Sequence, residues 1–361
     1  HAPALPHQPD LPEPAHIDDR GDYDAATPAL PAQRLVDSLA RLLRLAKGAG
    51  AQLAGSFVLG DDERAVVTSR GAACYAASTV AGAKLVTISR TCSGYASGVG
   101  RAYERLDVDQ LLEHALRQCL FRRRPIALPR GTYEVILEPE AVAELVMWLG
   151  YIAFGAKSFQ ERTSCLVGRI GEEITGPAVT IIDDGHDPAL LRCPFDCEGV
   201  PKQRVALIDA GRAGGIVYDT AYGALYGHPS TGHALPPDET DGPLPMHLQM
   251  APGASSRDQM IRSCRRGLLI PRFHYVSGLL NPRETLMTGL TREGACLIQD
   301  GKIAGPIRTL RFTQNLLEAL RGVVAISEGR QLVADPAQEL SCALVPALHL
   351  KRFRFTGSSD S

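Results

Sequence analysis

These 361 residues contain no Gly-x-Ser-x-Gly elbow, no Walker phosphate loop and no Gly-x-Gly-x-x-Gly turn. The first absence removes the strand-to-helix serine nucleophile of the α/β-hydrolases. The other two leave nucleotide-dependent chemistry without a phosphate cradle. Ser97, in Tyr95-Ala-Ser-Gly-Val99, comes nearest to an elbow and reads as a turn serine, and Gly211-Arg-Ala-Gly-Gly215 reads as a bend between strands. Long apolar runs are missing too. The longest uncharged one, Leu145 to Ala156, falls well short of the roughly 20 residues that cross a bilayer. No signal-peptide pattern stands at the start. Charge of one sign is also lacking: a net charge of −2 and a pI near 6.6 provide no broad footing for nucleic acid or an anionic membrane. The basic run Arg122-Arg-Arg124 is the exception and reads as a solvated helix end, where cations complement the C-terminal dipole.

Nine cysteines, an odd number scattered along the chain, argue against a secreted disulfide framework and for a reducing, cytoplasmic setting. Cys193 and Cys197 are separated by three residues rather than two, a poor zinc-ribbon or redox signature, and read as two loop or buried thiols.

Length suggests two domains. Residues 1–30 are rich in proline and acids and poor in aromatics, so they are expected to form an extended lead-in, free or laid along a partner. From Pro31, apolar residues at Leu35, Val36, Leu39, Leu42, Leu43 and Ala46 recur with helical spacing before Gly48. Four short strands are expected next, at 55–59, 65–69, 72–78 and 83–90, broken by Gly60-Asp61-Asp62, Gly71 and Gly82. A second helix follows over 108–120. Together these make a small N-terminal α/β domain at 31–129. A strand at Gly131–Leu137 leads into the most strongly helical stretch, Pro139 to Ile152. Short apolar runs between glycines and prolines then dominate, with one late helix expected over 313–320, so residues 130–361 read as a larger, mostly β domain. The fold class is α+β.

Several groups carry possible chemistry. Asp183, Asp184, Asp196 and Glu198 form the densest cluster of acids. Two facing carboxylates share a proton and work as acid and base, whereas Asp196 and Glu198 beside the Gly199-Val-Pro201 turn read more simply as acceptors of backbone N–H bonds. His228 and His233 are five apart with Pro229 between them, so they cannot occupy one helical face; only a loop would gather His228, His233 and His247 around an ion. In Arg272-Phe-His-Tyr275, ahead of Asn281-Pro-Arg283, strand alternation places Arg272 and His274 on one face, lining a peptide groove or meeting solvent, and Phe273 and Tyr275 on the other.

In order along the chain, the 131–137 strand, the 139–152 helix, Asp183-Asp184, Pro194-Phe-Asp-Cys-Glu-Gly-Val-Pro201, Ser230-Thr-Gly-His233, Arg272-Phe-His-Tyr275 with Asn281-Pro282, and the tail Ala343 to Gly357 resemble the TldD/PmbA family. The TldD type is expected to carry a His-Glu-x-x-x-His zinc motif on this helix, and the PmbA (TldE) type to lack it and pair with the first. The motif falls on Met147, Trp148 and Ile152, a thioether, an indole that only donates and an alkyl group. None of these serves a hydrolytic zinc. The TldD type is also expected to supply a metal-binding cysteine near its C-terminus; Cys342 lies there without companions. The resemblance therefore implies a PmbA/TldE-like, non-catalytic subunit with no metal of its own, partnered by a TldD-type zinc peptidase subunit, which processes unfolded or modified peptides. It also implies a peptide- or cavity-lining role for Asp196, Glu198, Ser230, Thr231, His233, Arg272, His274 and Asn281. The alternatives are a stand-alone hydrolase of a peptide-like or conjugated metabolite, using Asp196, Glu198, His233 or His274, and a homodimeric scaffold.

Overall fold

Pro31 and Gly48 bracket the first helix where the apolar spacing placed it, in a computed structural model that describes residues 10–17, 22–121, 124–335 and 341–358. This helix, α1 (Ala32–Gly48), buries Leu42 and Ala46. They meet a three-stranded antiparallel sheet, β1 (Gln52–Val67), β2 (Ala73–Ile88) and β3 (Ser93–Gly100), whose order is β1-β2-β3. The second helix, α2 (Val108–Cys119), starts at Asp107, whose carboxylate accepts the Gln110 N–H at 2.9 Å. It lies so close to β3 that a side chain at Gly94 would strike the Ala115 carbonyl.

The four short strands expected here are two strands of 16 residues each. Gly60, Asp61 and Asp62 pair without a break with Val80, Thr79 and Ser78, and Gly82 pairs with Val58. The ladder runs unbroken through these weak strand formers, so pairing with the partner strand overrides local propensity. The expected lead-in is also partly seated on its own chain. Asp24 donates its N–H to the Thr79 hydroxyl at 3.0 Å, and buried Thr27 accepts from the Tyr103 N–H at 3.0 Å. Asp10 and Glu13 lie beside Arg70 at the hairpin tip, with Glu13 at 3.0 Å. Residues 1–9 and 18–21 of that segment, and Arg122 and Arg123 of the basic run, lie outside the described residues; Arg124 is exposed.

After residue 130 come β4 (Gly131–Leu137), α3 (Pro139–Ala153), α4 (Ala156–Gln160), β5 (Ile181–Asp183), β6 (Val205–Asp209), β7 (Arg212–Ala213), α5 (Thr220–Tyr226) and β8 (His247–Met250). They are followed by α6 (Arg257–Ser263), β9 (Arg266–Ile270), β10 (Arg272–Asn281), β11 (Leu286–Arg292), β12 (Cys296–Gln299), β13 (Lys302–Pro306), β14 (Leu310–Asn315), α7 (Leu316–Arg321), β15 (Val323–Ala334) and β16 (Cys342–Ser358). All these strands join one large mixed sheet, and the last is its spine. β16 runs antiparallel to β4, β14 and β15 and parallel to β8. The late helix begins at Leu316 rather than 313, because Thr313–Asn315 continue β14 and the Asn315 side chain caps the helix by accepting the Glu318 N–H at 2.9 Å.

Alternation sorts the sheet's two faces. Val135 and Leu137 of β4, with Leu348 and Leu350 of β16, face α3 in the principal core. Ile136 and Ala347 face the other way, into a smaller core with Met260, Ile261 and Cys264 at α6. The long β1–β2 hairpin reaches the large sheet's loops, where the Cys74 thiol donates to the Gly199 carbonyl at 3.3 Å and Arg64 meets the Cys193 sulfur at 3.2 Å.

Candidate functional site

The helix α3 is apolar on nearly every side. Pro139 starts it, and Ala141, Val142, Ala143, Leu145, Val146, Leu149, Gly150, Ile152 and Ala153 are buried. One stripe at helical spacing, Glu144, Met147, Trp148 and Tyr151, is left to line an open cavity of about 720 Å³. Leu235, Pro236, Glu239, Asp241 and Leu244–Met246 form one wall, Tyr275 and Val276 the other, and Leu248 and Ser341 complete the lining. Trp148 and Tyr151 meet edge to face, with ring centroids 5.7 Å apart. The Tyr151 hydroxyl donates to Asp241 Oδ2 at 3.1 Å and so ties the helix to the loop wall. Gly278 lets the indole close in: a Cβ there would stand 2.9 Å from the Trp148 ring. Burial pushes the Glu144 carboxyl above the usual carboxylate range, while a hydrogen bond from Trp148 and the charge of Arg272 act the other way. The site offers aromatic and apolar walls with a rim of carboxylates and tyrosine hydroxyls, the composition of a binding cavity.

Of the three positions matched to the zinc motif, Met147 and Trp148 line this cavity, whereas Ile152 is in the principal core and Tyr151 takes its expected place. Among the described residues the donors at hand do not fit a hydrolytic zinc: no imidazole or thiolate lines the cavity beside Glu144. Cys342 is buried at the start of β16, opposite His247 in the parallel pairing with β8, and burial pushes its thiol up to about 12.

None of the eight residues singled out from the sequence is among the side chains lining this cavity. Asp196 is buried and accepts backbone N–H bonds from Glu198, Val200 and Ala234 at 2.9–3.0 Å. Burial raises its carboxyl while those three donors pull it down. Glu198 accepts from the Thr220 N–H at 3.0 Å and the Thr220 hydroxyl at 2.8 Å, at the start of α5. The simpler reading of both acids, as turn and helix-end acceptors, describes these contacts.

His233 is fully buried and contacts Asp183 Oδ1 through Nε2 at 2.8 Å. Its Nδ1 lies 2.9 Å from the Thr231 hydroxyl. Asp183 in turn accepts the His247 N–H at 2.7 Å. Burial lowers the proton affinity of His233, which favours a neutral ring donating Nε2–H to the Asp183 carboxylate. Burial would raise Asp183, but the hydrogen bond from His233, with the charge of Lys202, holds it far below its ordinary range. This pair is an internal strut that fixes the Ser230–His233 loop to β5 and β8. Thr231 accepts the Tyr218 N–H at 2.8 Å, and Ser230 accepts the Gly232 N–H at 3.1 Å. His228 is exposed and stacks on Tyr218 at 4.5 Å. Among the described residues His228, His233 and His247 form no cluster that an ion would bridge.

Arg272 lies 4.1 Å over the Tyr95 ring and 3.6 Å from Glu293, clamping β10 to β3. Burial, then the nearby Arg292 and Arg272, lower the His274 imidazole below its ordinary range. Phe273 packs in the core as alternation requires, but Tyr275 departs from it. The pairing with β11 slips between His274 and Ser277, Tyr275 adopts φ +50°, and its side chain is 77% exposed at the cavity wall. A strand bulge re-aims a side chain in this way, and no local sequence pattern marks this one. Asn281 accepts the Glu284 N–H at 3.2 Å and so makes the Asn-Pro turn.

Comparison with known proteins places this arrangement. A family model described as the PmbA/TldA metallopeptidase C-terminal domain matches residues 130–357. A metalloprotease TldD homolog of Haemophilus influenzae is 27% identical over 254 residues, 66% of this chain and 51% of that protein. Metalloprotease PmbA of Escherichia coli O157:H7 is 27% identical over 237 residues, 64% of this chain and 49% of that protein. The chain thus spans about half the length of the curated relatives it matches. The crystal structure of TldE from Thermococcus kodakarensis superimposes with a TM-score of 0.87 at 24% identity, over 96% of this chain and 79% of that one, a likeness of fold. With the match to residues 130–357 covering well over half of its length, the chain belongs to the PmbA/TldD family.

Proposed function

We propose that this chain is a PmbA/TldE-like subunit of a two-subunit zinc peptidase, which shapes and lines the cavity for unfolded or modified peptides while a TldD-type partner supplies the zinc. The observation that carries the reading is the cavity face of α3. At the helix where the resemblance expects the peptidase motif, the groups presented are Met147, Trp148, Tyr151 and a single carboxylate, Glu144. A hydrolytic zinc needs several nitrogen, sulfur or oxygen ligands and a base for its water, so no hydrolytic step is assigned to this face. Apolar and aromatic walls suit the side chains of an extended peptide. The irregular stretch of β10 around Tyr275 offers backbone groups beside them, giving binding with little dependence on sequence. The Phe195–Pro201 and Ser230–His233 loops are proposed to brace the wall through Asp196, Glu198, Thr231 and His233. Ser230, Arg272, His274 and Asn281, all partly exposed, are proposed to face the partner or its peptide.

The same reading keeps two domains, 31–129 and 130–361. The separate core around Leu42, Leu85 and Leu112 and the start of the family match at residue 130 support that division. A cytoplasmic setting is proposed from the nine free thiols. Among the described residues no helix is long and apolar enough to cross a membrane. The test is reconstitution: peptide cleavage is expected only when a TldD-type protein is added, and Trp148→Ala is expected to weaken peptide binding by the pair. Cleavage by the chain alone, abolished by His274→Ala or Glu198→Gln, would transfer the reading to the stand-alone hydrolase.

A further inference from the structure

On the face of the large sheet opposite the cavity, a cysteine, a histidine and a glutamate from three separate elements converge in an otherwise apolar core. Glu134 lies on β4. His349 on β16 stands opposite Ile136, two residues along the same face of β4 from Glu134. Cys264 ends α6 just before β9, whose Gly267 pairs with Glu134. One ligand atom from each of the three lies within 4.8 Å of the other two. Ile136, Met260, Ile261, Leu269 and Ile298 surround them. Cys264 and His349 are buried, while the Glu134 side chain is 31% exposed and provides the way in.

This convergence depends on a glycine. A Cβ at Gly267 would stand 2.5 Å from the Cys264 sulfur and 2.6 Å from the Glu134 carbonyl oxygen, so only a residue without a side chain lets the thiol reach the strand. The Glu134 carboxylate gathers the other two: His349 Nε2 approaches it at 2.6 Å and the Cys264 sulfur lies within 4.8 Å.

We propose that Glu134, Cys264 and His349 form a binding site for a zinc-class divalent ion, through Oε1, Sγ and Nε2, with a fourth position open toward the exposed side of Glu134. Sulfur, nitrogen and oxygen donors together suit a borderline ion over calcium or magnesium. Thiolate and carboxylate neutralise the two positive charges, which a core position requires. Bonds of about 2.0 to 2.3 Å hold tetrahedral donors roughly 3.5 Å apart. The ion therefore spreads the His349–Glu134 pair by about an ångström, a movement the partly exposed glutamate can make. On binding, the thiol loses its proton to solvent and no other bond changes. His349 Nδ1 is buried without a partner among the described residues, so the ring's polar contact is on its Nε2 side, at Glu134. The ion would staple the α6–β9 junction to β4 and to the spine strand β16, away from the cavity and independently of the function proposed there.

The test is cobalt titration of the full chain after chelation and dialysis. One equivalent of cobalt(II) is expected to raise a near-ultraviolet sulfur-to-cobalt charge-transfer band that zinc then displaces. Cys264→Ser is expected to abolish the band. Glu134→Gln, at a partly exposed position that leaves the core intact, is expected to weaken binding roughly 10- to 100-fold. Absence of the band with excess cobalt, or a band of unchanged strength in both variants, overturns the proposal. Peptide cleavage by the reconstituted pair is read separately, so failure of this site and failure of the peptidase reading remain distinct.

Discussion

Acid weakens this fold through His247, and His247→Gln removes that part of the sensitivity. The imidazole is 1% exposed, its Nδ1 has no partner among the described residues, and burial followed by the charge of Lys202 lowers it to about 3. An unfolded histidine titrates near about 6.5. Because the folded value is the lower one, the unfolded chain binds the extra proton. The contribution is neutral above about pH 6.5, and stability is lost progressively as the pH falls from there toward about 3. At about pH 5 the unfolded imidazole is some 1.5 units below its own midpoint, so the loss reaches about 2 kcal/mol. For a chain of 361 residues that shifts the melting temperature by about 3 °C. Glutamine keeps the backbone N–H that reaches Asp183 at 2.7 Å and has no charge to gain. Thermal melts of both proteins at about pH 7.5 and about pH 5 give the double difference, in which every other histidine cancels. The wild-type chain is expected to lose about 3 °C more than the variant. Equal losses would refute the placing of His247 as a buried neutral ring.

Further expectations follow from the cavity and its supports. Gly278→Ala drives a Cβ to 2.9 Å from the Trp148 ring, so it is expected to cost about 1 to 3 kcal/mol and to change the emission of the chain's single tryptophan, read by denaturant titration and fluorescence. Asp196→Ala removes the buried acceptor of three backbone N–H donors, one of them at buried Ala234, and is expected to cost about 2 to 3 kcal/mol, with Asp196→Asn milder because an oxygen acceptor remains. Tyr151→Phe removes one solvent-exposed hydrogen bond, to Asp241, so stability is expected to stay within about 0.5 kcal/mol while peptide affinity, read by Trp148 fluorescence, falls.

The sequence announced elements whose cause is local. α1 lies between Pro31 and Gly48 with its apolar spacing intact, α2 begins at the Asp107 cap, and α3 begins at Pro139. The string around Asp196 was legible as a turn because aspartate there accepts its own neighbours' N–H groups. What stayed hidden depends on distant partners. The β1–β2 ladder runs through Gly60 and Gly82 because the opposite strand pairs with them in register. His233 reads as a loop histidine until Asp183, fifty residues earlier, takes its Nε2. Met147 and Trp148 look like core on α3; the loop around Pro236 and the flipped Tyr275, about 90 and 130 residues away, turn them into a cavity wall. The trio at Cys264 lacks any sequence signature, since its members come from positions 134, 264 and 349.

The most direct measurement of the central claim is mass-spectrometric cleavage of an unstructured peptide by the pure chain, by a TldD-type protein alone and by the two mixed, all supplied with zinc. Products are expected to require the TldD-type protein, to increase when this chain is added, and to decrease again when the added chain carries Trp148→Ala. Turnover by this chain alone, at a rate that does not depend on a partner, would contradict that claim.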